Sequence, residues 1–162
     1  MLKRILLLLL ILLVSGSVLN AQDQNKLNTY IERAFKFTGD GLFETALITW
    51  DLYLKEVQKT EGEECLHYFM GVVYKSGVLI DAERYSEAEE LLLSVKIPSE
   101  GNLELHLTFF KNLGKCAYHL NKYEDSIAMY IEAFNTLSEN KKYYSEINDE
   151  TYHWCWRDEL CH

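Results

Sequence analysis

Asn112-Leu113-Gly114, followed after the polar break Leu120-Asn121-Lys122 by Tyr123-Glu124-Asp125-Ser126-Ile127-Ala128-Met129-Tyr130, is the stretch whose spacing decides the fold. Phe110, Gly114 and Ala117 are spaced four and then three residues apart, which puts them on one face of a helix. The glycine lets a neighbouring helix approach closely. Beyond the break, Tyr123, Ser126 and Tyr130 repeat the idea: an aromatic, a small residue three later, an aromatic four after that. The same spacing recurs twice upstream. Tyr30, Ala34 and Phe37 precede the turn Gly39-Asp40-Gly41, then Phe43, Ala46 and Trp50 follow. His67, Gly71 and Tyr74 precede Tyr85, Ala88 and Leu92, here with an expected insertion of about five residues, Gly77 to Asp81. The expected units cover residues 27–60, 64–102 and 107–140. Two such helices cannot bury their apolar faces alone, and stacked pairs can. One proline and eight glycines in 162 residues suit an all-α chain.

These residues resemble the tetratricopeptide repeat, a helix–turn–helix unit of about 34 residues. The third unit matches best, through Leu113-Gly114 and the run Tyr123 to Tyr130. The second matches at Gly71, Tyr74, Tyr85 and Ala88. The first has Arg33-Ala34 where the family has Leu-Gly, and none carries the family's proline at its usual place. The resemblance implies an α-solenoid of three helix pairs, with small residues Ala34, Gly71 and Gly114 at equivalent crossings. Residues 141–162 start where a fourth unit would start. Tyr144, Ile147, Asn148 and Thr151 fall near first-helix positions, so this segment is expected to be one C-terminal capping helix and a tail.

The first 21 residues read differently. Lys3 and Arg4 precede the apolar run Ile5 to Val14, and small and polar residues lead to Ala21. That is the layout of a secretory signal peptide, with cleavage expected after Ala21 and an uncleaved membrane anchor as the alternative. The expected location is the periplasm or surface of a bacterium. Removing this segment leaves 14 basic against 25 acidic residues, a net charge of −11. Such a charge disfavours nucleic acid and anionic lipid as partners.

Export makes disulfides chemically available. Cys65 and Cys116 sit at opposite ends of equivalent helices, roughly 12 Å apart along the axis, which exceeds the reach of about 7 Å of a disulfide. The pair compatible with a disulfide is Cys155 and Cys161, provided the chain bends after Trp156. With His153 and His162 they give the tail four potential soft-metal ligands, whose spacing fits no common zinc or redox motif. No phosphate loop, catalytic triad or His-Glu-x-x-His is present. The expectation is therefore a non-enzyme without cofactor.

In the resembled family the first helices line a concave groove that holds a protein or peptide. Carried over, the groove positions are Asn28, Ile31 and Phe35; Tyr68, Val72 and Lys75; and Thr108, Lys111, Lys115, Tyr118 and His119. The family's carboxylate clamp is missing, because Ile31 and Phe35 stand where its first unit has lysine and asparagine. The expected function is a scaffold with Phe35, Tyr68 and Tyr118 as apolar anchors. Lys75, Lys111 and Lys115, beside His119, would steer an acidic or carboxylate-bearing peptide. Two other readings stand beside it: the N-terminal part of a larger exported signalling or protease protein, and a small Cys/His metal or redox protein.

Overall fold

Three turns with one hydrogen-bond pattern organise the molecule. The computed structural model describes residues 24–98 and 103–139. Within them the chain forms α1 over residues 24–39, α2 Phe43–Thr60, α3 Leu66–Asp81, α4 Tyr85–Leu93, α5 Leu103–His119 and α6 Tyr123–Glu139. After α1, α3 and α5 the chain reverses through a left-handed residue: Gly41, Glu83 and Asn121, with φ of +73°, +60° and +59°. The amide of that residue donates three residues back, to Thr38, Ile80 and Tyr118 O. The next amide donates five back, to Phe37, Leu79 and Ala117 O. This is the Schellman closure of a helix C-terminus. The residue that receives it, Leu42, Arg84 or Lys122, accepts the first bond of the following helix, from Ala46, Ala88 or Ser126.

Equivalent turn residues lie 42 and then 38 positions apart, so these units are longer than the resembled 34-residue repeat. The longer helices, 17 or 18 residues in α2, α5 and α6, take up much of the difference. Glutamate is the misfit among the three turn residues. A left-handed backbone costs a side chain about 1 kcal/mol that glycine is spared. Glu83→Gly should therefore raise stability by about 0.5–1 kcal/mol, read as a higher urea midpoint.

Aligning the turns corrects the expected register of the second unit. α3 runs unbroken through Gly77–Asp81, so those residues are not an insertion. The small residue 12 positions before Ala88 is Ser76. It stands where Ala34 stands before Ala46 and Gly114 before Ser126. Ala34 and Ser76 are fully buried, and Ser126 Oγ donates to Gly114 O at 2.8 Å across the third hairpin. Gly71 marks a different contact, against Tyr53 and Leu54 of the preceding helix α2. It needs to be small for that neighbour, not for α4.

Adjacent helices pack in sequence: α2 on α3, α3 on α4, α4 on α5 and α5 on α6, with α3 also on α5. One apolar cluster runs through Trp50, Tyr53, Phe69, Val72, Val73, Leu92 and Cys116. A polar tie crosses it between units. Asn112 Nδ2 of α5 donates to Ser76 Oγ at 3.0 Å and to Val73 O at 3.3 Å, and Ser76 donates to the same carbonyl at 2.7 Å. At the surface Arg84 reaches Glu44 in α2, and Lys122 reaches Glu89 in α4. Such exposed pairs add little energy. The expected signal segment, the expected C-terminal capping helix and the pair Cys155 and Cys161 lie outside the described residues.

Candidate interaction surface

The corrected register redraws the face formed by the first helices. Asn28, Ile31 and Phe35 of α1 are equivalent to Thr108, Lys111 and Lys115 of α5. In α3 the equivalent residues are Met70, Val73 and Gly77, rather than Tyr68, Val72 and Lys75. Val73 is covered, since its carbonyl accepts from Asn112. Gly77 is different: a Cβ there would meet only Asn112 Nδ2, at 3.9 Å. One row across α1, α3 and α5 thus holds a phenylalanine, a bare backbone and a lysine.

The three residues expected in α3 lie elsewhere. Val72 is fully buried in the core. Lys75 Nζ donates to Asp51 Oδ1 of α2 at 2.6 Å. It lines a cleft of about 440 Å³ with Leu47, Arg84 and Glu87, among the second helices. Tyr68 is half-buried, and its phenol is pushed up by burial and by Glu63. Lys75 and Tyr68 therefore do not join Lys111 and Lys115.

Four of the expected residues do come together on α5. Lys111 and Lys115 are one turn apart, each half-buried, and neither enters an ion pair among the described residues. Tyr118 follows, 58% exposed. Its ring meets His119 edge-on at 5.5 Å and Tyr123 at 5.8 Å. His119 in turn stacks flat on Tyr85 of α4, 4.0 Å between centroids. The result is an aromatic shelf at the turn end of α5, beside two cations. Across the face, Phe35 is 48% exposed and rests edge-on against Trp50 and Tyr74.

No family profile, curated protein or solved structure matches this chain. Its function has to be read from its own residues. Sequence reasoning missed Met70 and Gly77. The signal that finds them is the constant 12-residue step between small residues, 34 to 46, 76 to 88 and 114 to 126.

Other chemistry is sparse. Among the described residues no group of three or more His, Cys, Asp or Glu is placed to hold a metal, and no helix is long and apolar enough to cross a membrane. Cys65 and Cys116 are free thiols. Cys65 caps α3: its sulfur accepts from Tyr68 N at 3.3 Å and its S–H donates to Gly62 O at 3.2 Å. Burial, with Glu89 adding to it, pushes the Cys116 thiol from its ordinary value near 9 up to about 11. An unfolded chain loses that proton first, so stability is complete below pH 9 and falls as pH rises from 9 to 11. Burial of Tyr53 pushes its phenol the same way. Unfolding by urea at about pH 10.5 should show a loss of about 2 kcal/mol relative to pH 8, and Cys116→Ala should remove part of that dependence.

Proposed function

We propose that this protein is a non-catalytic scaffold of tetratricopeptide type, exported to the bacterial envelope, that holds an extended segment of a partner protein across its first helices. The row Phe35–Gly77–Lys115 carries the proposal. An extended peptide needs a place where its backbone comes close, and Gly77 offers one. A carboxylate beside it needs a cation, and Lys111 and Lys115 offer two without ion-pair partners among the described residues. Apolar side chains need flat, rigid contacts, which Phe35, Tyr118 and the His119–Tyr85 stack supply. The strongly acidic remainder of the chain favours a protein partner over nucleic acid, since phosphates would be repelled almost everywhere else.

The test is fluorescence anisotropy with a library of extended peptides bearing Asp or Glu, each paired with its Asn or Gln counterpart. Acidic peptides should bind and their amide counterparts should not. Charge reversal at Lys111 and Lys115 together should weaken binding at least about tenfold, the scale of one charge-assisted hydrogen bond, with circular dichroism unchanged. Gly77→Leu should block binding while leaving the fold stable, because a Cβ there makes only an ordinary contact, with Asn112 Nδ2 at 3.9 Å. Equal affinity of both variants and wild type would remove the proposal.

A further inference from the structure

α6 packs on α5 and turns another face outward. Tyr123, Ile127, Ile131 and Phe134 are spaced as one helical stripe, and each is between 49% and 60% exposed. Register explains what this stripe is for. Ile127 and Phe134 stand 80 residues after Leu47 and Leu54, which are buried in the first unit, where α3 packs on α2. The outward face of α6 is thus the copy of a face that elsewhere receives the next helix.

We infer that this face seats residues 141–162 of the same chain, folded back as a seventh helix in the manner of α3 on α2. Applying the same 80-residue step to α3 gives a specific pairing. α3 meets α2 through His67, whose carbonyl accepts from Tyr53 Oη, through Gly71 against Tyr53 and Leu54, and through Tyr74 stacked on Trp50. The corresponding residues are Ile147, Thr151 and Trp154, a helical stripe without a charge. The sizes trade places. Tyr53 faces a glycine, whereas its counterpart Ala133 faces Thr151. Trp50 carries Tyr74, whereas its counterpart Tyr130 carries Trp154. Link and α3 together occupy residues 61–81, and the same 80-residue step places their counterparts at 141–161. A second copy of the chain is the poorer occupant. α6 bears Glu124, Asp125 and Glu132 and no lysine or arginine, so two such faces would repel each other.

Hydrogen–deuterium exchange on the full chain tests this. Wild type should show amides of 147–154 protected at least about a hundredfold over an unfolded peptide, at a protein concentration where sedimentation shows a monomer. Ile147→Asp should abolish that protection and raise exchange in α6, while α2 and α3 keep theirs. Ile127→Asp on the receiving face should release 147–154 in the same way. Free exchange of 147–154 in the wild-type monomer would overturn the inference. So would protection that appears only together with dimer, or Ile127→Asp leaving 147–154 protected.

Discussion

Trp50→Ala should cost about 3–5 kcal/mol, the usual range for removing a large buried aromatic. The indole is fully buried and joins three helices. It meets Phe35 of α1 at 5.6 Å, Tyr53 of its own helix at 5.5 Å and Tyr74 of α3 at 5.8 Å. Truncation leaves a cavity between these rings, which the surroundings close only in part. Against a total stability of about 5–15 kcal/mol, the loss should lower the melting temperature by more than about 10 °C. Trp50→Phe should lose much less. The indole N–H has no partner among the described residues, and phenylalanine removes that unsatisfied donor together with part of the ring. Calorimetry of the three proteins measures both effects. An unchanged melt for Trp50→Ala would contradict the core described above.

Gly71→Ala should be the second large effect, and Gly114→Ala its informative opposite. A Cβ on Gly71 would lie 2.7 Å and 2.8 Å from ring atoms of Tyr53 and 2.8 Å from Leu54. Tyr53 is fully buried and anchored by its hydroxyl to His67 O, so it cannot swing away. The overpacking should cost about 1–3 kcal/mol. At Gly114 the nearest atoms belong to Tyr130, at 3.1–3.2 Å. That ring is half-buried, and at these distances it needs to shift by only a few tenths of an ångström. Alanine also gains about 1 kcal/mol of helix propensity over glycine. Gly114→Ala should therefore stay within about 0.5 kcal/mol of wild type. Urea midpoints rank the two variants, and a reversed order would mean that the tight crossing has been assigned to the wrong helix pair.

The contrast between these glycines shows what the sequence could and could not disclose. The helical character, the hairpins and their stacking were legible, because the large–small spacing at Ala34/Ala46 and Gly114/Ser126 leaves few alternatives. The second unit was misread because Gly71 is the conspicuous small residue there, while serine at 76 does the same steric task less visibly. Sequence alone does not say which neighbour a small residue serves. That five-residue slip moved Lys75 and Tyr68 onto the wrong face and hid Gly77. Lys111, Lys115, Tyr118 and His119 do lie together as expected, because the third unit was in register. The stack of His119 on Tyr85 was not legible, since it joins residues of different units.

The hairpin turns share one set of main-chain hydrogen bonds although glycine, glutamate and asparagine occupy their critical position. The bend of each pair is therefore set by groups that nearly every amino acid carries. The arrangement of each hairpin is then insulated from changes in side-chain chemistry. Phe35, Gly77 and Lys115 could each be replaced while the three positions stay abreast of one another, so the chemistry of this face can change without new architecture.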